Sequence, residues 1–178
     1  MGVRDILSEV RSAVVAEWFE STMKEYSAKT AAVYTGVGDR FSNPVGTTFL
    51  KAMEAVVGYL ADGTADRDRI RSQLDEVVKI RALQNISPSD ALTFLFRLKD
   101  ILLRHLGRKL NDENARELLN IETEIDRFSQ DSFDTYVRCR EKLYELRNKE
   151  VRDQARILLK RANIEYSFDS KEPCSSCN

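Results

Sequence analysis

The strongest constraint on this chain is a stretch from Asn111 to Glu172 that contains neither glycine nor proline. These two residues are the usual helix breakers, and apolar residues recur at helical spacing as far as about Ala162. The stretch therefore predicts one long helix, with Asn111 as its cap. A continuous helix of this kind would be roughly 75 Å long, whereas a domain of this size has a radius of gyration of only about 16 Å. We therefore expect either a break near residues 131–134 or a projecting segment.

The apolar pattern of this long helix changes near Arg138. Before it, the large apolar residues are typical of a core: Leu118, Leu119, Ile125, Phe128, Phe133 and Tyr136. After it, the stripe is narrower and more charged, as in a coiled coil that pairs with a partner helix. Its members are Leu143, Leu146, Val151, Ala155 and Leu158. We divide the chain into a helical bundle (1–137), an extension of the last helix for dimerisation or output (138–166), and a polar tail expected to be mobile (167–178).

Four shorter amphipathic segments precede the long helix, and only 7 glycines and 3 prolines occur in the whole chain. Their predicted ranges are 3–30, 44–60, a third from Thr64 to about 83, and 88–106. Asn43, Thr64 and Ser87 are the side chains expected to cap the last three of these helices. The fold class predicted is therefore all-α, a bundle of about five helices with a long C-terminal helix.

Charge and hydropathy exclude several classes of partner. With 28 basic and 29 acidic side chains, the net charge of -1 does not favour nucleic acid or an anionic membrane. No run of 18 apolar residues and no signal-peptide pattern occurs, so we expect no membrane insertion. Three cysteines, an odd number, do not form a disulfide framework, which favours a reducing cytoplasm.

Cys174 and Cys177 form a C-x-x-C motif, which suggests a metal half-site or a redox pair. A zinc site needs two more ligands, which a second chain of a dimer could supply. A thioredoxin-type site needs a neighbouring sheet. We interpret the motif as an accessory feature of the tail and expect no cofactor, with a metal at these cysteines as the alternative.

His105 is the sole histidine, and it raises the possibility of haem ligation. The ordinary interpretation is a histidine that interacts with the last carbonyls of its helix, since Gly107 follows directly. The absorption spectrum and metal content of the purified protein, with His105→Ala as the variant, would separate these interpretations.

Catalytic motifs are not visible in the sequence. The seven glycines are dispersed and form no phosphate loop. Glu122 and Asp126 share a helix face but lack the Glu-x-x-His partner of a di-iron site, and we expect them to face solvent or to pair with Arg116 and Arg127. We therefore expect no enzymatic activity.

A polar corner separates the third and fourth helices, with Arg81 and Gln84 before it and Ser87 and Ser89 after it. The simpler interpretation is that Arg81 and Gln84 hydrogen-bond the last carbonyls of the third helix. The functional interpretation is a polar ligand pocket between the helices. The sequence favours the simpler one.

Three short motifs resemble those of a known family. They are Phe41-Ser42-Asn43-Pro44-Val45-Gly46, then Ile80-Arg81-Ala82-Leu83-Gln84 with Ser87-Pro88-Ser89-Asp90-Ala91, and Phe133-Asp134 and Tyr136 with Arg140-Glu141. Together they resemble the N-terminal sensor domain of RsbR-type stressosome proteins, the RsbRD N-terminal domain. The resemblance spans about Val15 to Arg147.

This resemblance implies a haem-free, globin-like bundle that forms a homodimer and passes a signal through its last helix toward a STAS domain. Here a short cysteine-bearing tail follows that helix, so we expect a stand-alone sensor that contacts a protein partner through the C-terminal helix. The resemblance marks Asn43, Pro44, Arg81, Gln84, Ser87 and Ser89 as family-motif residues. A cofactor-binding protein, with haem at His105 or a metal at Cys174 and Cys177, is the alternative.

Overall fold

Five α-helices make up the regular structure of the computed structural model, which describes residues 2–25, 44–63, 66–84, 86–107 and 114–162. The helices are α1 (Val3–Met23), α2 (Pro44–Asp62), α3 (Arg67–Leu83), α4 (Pro88–Leu106) and α5 (Ala115–Arg161). The predicted all-α class, the five helices and the long last helix are confirmed. Within the described residues, no helix is both long and apolar enough to span a bilayer.

The first helix is capped by a side chain from the last one. The Glu117 carboxylate of α5 accepts the backbone N–H of Val3 at 2.6 Å and that of Arg4 at 3.3 Å. These are two of the N–H groups that a helix leaves without an internal partner at its start. The negative charge also suits the positive end of the helix dipole.

The caps of α3 and α4 show where sequence patterns succeed and fail. Ser87 caps α4 as predicted: its Oγ accepts the Asp90 N–H at 3.1 Å and donates to the Asp90 carboxylate at 2.7 Å. The prediction that Thr64 caps α3 was wrong, because the helix begins at Arg67 and the preceding residue is Asp66. The Asp66 side chain accepts the Asp68 N–H at 3.0 Å.

We expect Ser87→Ala to lower the free energy of unfolding by about 1 kcal/mol, because the first turn of α4 loses its side-chain acceptor. Ser87→Asp, which keeps an acceptor, should lose much less. Thr123→Ala is the control, since that exposed hydroxyl bonds only within α5, to the Leu119 carbonyl at 2.8 Å. Urea denaturation followed by circular dichroism measures all three, and equal losses at positions 87 and 123 would contradict the capping role.

The chain separates into two units, Met1–Arg140 and Glu141–Asn178. In the first unit, α1 packs on α2 and α4, and α2 packs on α3. The largest fully buried side chains are aromatic, and Trp18 stacks on Phe94 with ring centroids 6.0 Å apart. Phe49 meets Phe94 edge-on at 6.2 Å. The core of the first unit is thus centred where α1, α2 and α4 meet.

The structure corrects the predicted end of the first helix and decides between the two alternatives for the last one. Helix α1 ends at Met23 and not near Thr30, and Lys24 and Glu25 form a turn. For the last helix the sequence left open a break near residues 131–134 or a projecting segment, and α5 has no break there. Its continuity there is supported by neighbouring helices, since Asp131 pairs with Arg67 at 2.9 Å and Ser132 is buried.

Two residues of α5 predicted to lie in the core are exposed, Leu119 by 60% and Phe133 by 47%. The buried residues of α5 follow a spacing of three and four that forms one narrow stripe: Ile121, Ile125, Phe128, Ser132 and Tyr136. At about 100° per residue, Leu119 and Phe133 fall to one side of that stripe. That part of the prediction was wrong.

In the second unit, residues 141–162 are helical up to Arg161, and the large apolar side chains there are mostly exposed. The exposed ones are Tyr144, Leu146, Val151, Ile157 and Leu158. The remainder of this unit lies outside the described residues.

Candidate functional site

The corner between α3 and α4 is organised around Arg81, a charged residue that is only 3% exposed. Its Nη2 donates to the Glu25 carboxylate at 2.7 Å and to the Asp90 carbonyl at 2.7 Å. Its Nε donates to the Ala91 carbonyl at 3.3 Å. A buried guanidinium needs such a set of acceptors, because it keeps its charge and leaves water.

These contacts differ from the sequence interpretation, which assigned Arg81 to the last carbonyls of α3. The acceptors instead belong to the first turn of α4 and to Glu25, just after α1. The other oxygen of Glu25 pairs with Arg97 of α4 at 2.8 Å, and Arg97 donates to the Ser21 carbonyl at 2.7 Å. One carboxylate therefore ties the end of α1 to both α3 and α4.

The long helix is attached to the same corner. The Tyr136 hydroxyl donates to the Ile86 carbonyl, which lies just before α4. The Arg140 guanidinium donates to the Ala82 carbonyl in the last turn of α3, at 3.2 Å. Thr135 adds a bond to the Asp75 carboxylate at 2.7 Å. Helix α5 thus contacts both the last turn of α3 and the segment just before α4. These contacts come from residues 135–140, at the end of the first unit.

The structure accounts for most of the family-motif residues. Gln84 is the C-cap of α3, where its backbone N–H donates to the Arg81 carbonyl at 3.1 Å. The Ser89 hydroxyl lies 2.9 Å from that of the capping Ser87. Pro44 begins α2, and Asn43 lies outside the described residues.

Sequence reasoning missed Glu25 and Arg97. From the sequence alone, a charged residue that completes a buried hydrogen-bond network cannot be distinguished from one that faces water. The only available signal was Arg81 itself, because an arginine at an apolar position of its helix requires an acidic partner somewhere in the fold.

His105 contacts a carboxylate of α1 and not the helix-end carbonyls that the sequence suggested. Its Nε2 lies 2.8 Å from Glu17 Oε2, and Arg104 pairs with the other oxygen of Glu17. The hydrogen bond from Arg104, followed by that from His105, lowers the pKa of Glu17. The nitrogen that would ligate haem iron is therefore engaged in an ion-pair cluster on the α1–α4 surface.

The described residues contain no group of three or more histidine, cysteine or acidic side chains that could hold a metal ion. Cys139 is a free thiol, half-buried against the core. Cys174 and Cys177 lie outside the described residues, so the metal or redox alternative stays a prediction. Asp126, which the sequence paired with Arg127 or Arg116, instead pairs with Lys99 of α4 at 2.6 Å.

A groove of about 740 Å³ opens between α4 and α5, on the side of the α3–α4 corner. The largest side chains that line it are those of Phe96, which is 49% exposed, and Phe133, which is 47% exposed. The full lining is Pro88, Ser89, Leu92, Phe96, Asp126, Ser129, Gln130, Phe133 and Asp134. A mostly apolar opening of this size with a few polar groups suits a small molecule or an inserted side chain.

Comparison with known proteins relates the chain to a family of signalling domains. The family model described as the RsbT co-antagonist protein rsbRD N-terminal domain matches residues 12–151. No curated protein matches the chain, and no solved structure does. The matched range covers most of α1, all of α2 to α4 and most of α5. The chain therefore belongs to the family of RsbT co-antagonist protein rsbRD N-terminal domains.

Proposed function

We propose that this protein is a sensor or regulatory domain that works by protein–protein interaction and not by catalysis. The bundle receives a signal, and the C-terminal part of α5 passes it to a protein partner. The observation that carries this proposal is the attachment of the α3–α4 corner to α5 through Tyr136 and Arg140. The same unbroken helix continues to Arg161 with exposed apolar side chains.

The groove beside the corner is the proposed point of entry for the signal. Its wall includes Pro88 and Ser89 in the first turn of α4, next to the Asp90 and Ala91 carbonyls that hold Arg81. A ligand or partner that displaces this turn would act on Arg81 and, through it, on Glu25. Coupling of this kind needs a packed element with two arrangements, and the buried corner is a candidate for that element.

Self-association is part of the proposal. Large exposed apolar side chains occur on α4 and α5, the two helices that border the groove: Phe96, Leu103, Leu119 and Phe133. Apolar surface concentrated on neighbouring helices is typical of a contact with another protein. We propose that a second copy of this chain covers this apolar surface, in line with the homodimer that the motif resemblance implies. Any change at the groove would then alter the association of the two copies.

The output segment is tested by truncation. We expect a chain that ends at Arg147 to keep the folded core, because the fully buried side chains of the described residues all precede Arg147. Its association with the partner recovered from cell extract should fall at least tenfold. A chain that ends at Ala162 is the control, because it keeps the described helix and lacks the C-x-x-C tail.

Circular dichroism and sedimentation velocity report folding and self-association of both truncated chains, with the full chain as reference. If the chain that ends at Arg147 binds the partner like the full chain, the output assignment is wrong. If the chain that ends at Ala162 loses binding as well, the interaction depends on the tail.

A further inference from the structure

Residues 141–162 present a regular stripe that the proposed function leaves without a defined partner. Its positions are spaced by four and three residues, and they differ from the predicted stripe because Tyr144 and Asn148 take the place of Leu143 and Leu146: Tyr144, Asn148, Val151, Ala155, Leu158 and Ala162. Tyr144 is 53% exposed, and Val151 and Leu158 are each 64% exposed. The spacing matches the a and d positions of a coiled coil, with Asn148 as the one polar member at an a position.

Of the charged residues that flank this stripe, three are basic and one is acidic. Arg147, Arg152 and Arg161 occupy e and g positions, and none of the ion pairs found among the described residues involves them. Glu145 is the acidic residue at a flanking position, and it contacts Lys142 at 3.7 Å. In coiled coils the flanking charges set partner choice and orientation.

A second copy in parallel orientation fits this surface poorly. In that pairing each Arg147 would face Arg152 of the other copy, so two like-charge contacts would form across the seam. The one compensating contact, between Arg140 and Glu145 of the other copy, would compete with the hydrogen bond that Arg140 donates to the Ala82 carbonyl.

An antiparallel second copy that overlaps the whole stripe would place Arg147 opposite Arg161 of the other copy and keep the charge conflict. A shorter register relieves that conflict but creates another. Glu145 would then face Arg152 of the other copy, whereas Asn148 would face Val151. Two amides would be buried in apolar layers without a hydrogen-bond partner, which is unfavourable. The stripe therefore fits a different helix better than it fits itself.

We propose that the occupant is an amphipathic helix of another protein, parallel to α5, with acidic residues beside its apolar seam and a polar residue opposite Asn148. This rests on the proposed function and names the chemistry of the partner. An anionic membrane fits less well, because the polar face also carries Glu150 and Asp153 between its basic residues.

The test uses the full chain and two designed helical peptides with the same apolar seam and one asparagine at an a position. One peptide has glutamate at every e and g position, and the other has lysine there. Fluorescence anisotropy at low and high salt measures binding. We expect the glutamate peptide to bind at least tenfold more tightly than the lysine peptide, with a preference that shrinks as salt screens the charges.

Two charge-reversed variants test whether the arginines beside the stripe determine which peptide binds. The variant Arg147→Glu, Arg152→Glu, Arg161→Glu should reverse the preference and bind the lysine peptide. The matched control Lys149→Glu, Arg156→Glu, Lys160→Glu makes the same change in net charge on exposed positions away from the stripe. It should keep the preference for the glutamate peptide. Circular dichroism confirms that both variants remain helical.

Several outcomes would overturn the proposal. The first is equal binding of the two peptides, and the second is an equal loss in both variants, which would indicate unspecific charge attraction. A dimer that Val151→Asp converts to monomer would assign the stripe to a second copy. Binding to phosphatidylserine vesicles that needs the three stripe arginines would assign it to a membrane.

The proposed function has a separate test. It is contradicted only if the chain that ends at Arg147 still binds its partner like the full chain. If truncation at Arg147 weakens partner binding but the full chain shows no preference between the two peptides, only the proposal of an acidic helix is rejected.

Discussion

Replacing Trp18 with alanine is expected to lower the free energy of unfolding by about 3–5 kcal/mol, the usual loss for a large buried aromatic side chain. Trp18 is fully buried, stacks on Phe94, and donates its Nε1 proton to the Phe94 carbonyl at 2.7 Å. Alanine removes the ring and this bond together, and it leaves a cavity where α1 and α4 meet. Trp18→Phe keeps most of the apolar volume and should lose clearly less.

Phe96→Ala is the matched control, because Phe96 is an aromatic residue on the same helix as Phe94 but is 49% exposed. Its loss should be about 1 kcal/mol or less. Urea denaturation is followed by circular dichroism, since Trp18 is the one tryptophan and its replacement removes the fluorescence signal. Equal losses for Trp18→Ala and Phe96→Ala would show that the core is not centred on the Trp18–Phe94 contact.

Replacing Arg81 with alanine is expected to lower the free energy of unfolding by about 3 kcal/mol, because it breaks a buried ion pair and leaves its acceptors without their donor. Glu25 would keep its pair with Arg97 at 2.8 Å, which limits the loss. Arg81→Lys should recover only part of the stability, since one ammonium cannot reach acceptors that the guanidinium serves through two nitrogens.

Arg127→Ala is the control for charge removal, because Arg127 pairs with Glu124 within α5 and its side chain is 57% exposed. That change should cost about 0.5 kcal/mol or less. A double-mutant cycle with Glu25→Gln should give a coupling energy of about 1–3 kcal/mol between positions 81 and 25. Additive losses at these two positions would refute the network that joins α1, α3 and α4.

The corner illustrates how much of the candidate site was predictable. The Ser87-Pro88-Ser89-Asp90 start of α4 was predicted correctly, because capping depends on residues only three positions apart. The role of Arg81 was predicted only as local hydrogen bonding. Its main acceptors are Glu25 and the first turn of α4, and Glu25 lies 56 residues away in the chain. Nothing in local spacing could identify that partner.

The groove is a second example of a feature that the sequence could not predict, and here the residues are apolar. Phe133 matches a core residue in type and approximate spacing, yet it lines an open groove with Phe96. An amphipathic pattern defines a stripe to within about a third of the helix circumference. Whether a residue at the edge of that stripe is buried depends on where the neighbouring helix lies.

The sequence by itself determined the helical class, the number of helices, the start of α4 and the presence of one long last helix, because each of these depends on propensity, periodicity and capping within a few residues. The tertiary structure alone decided that Glu25 meets Arg81, that Glu117 caps α1, and that Phe133 faces a groove and not the core. These contacts join residues far apart in the chain, so they are set by the packing of whole helices against one another.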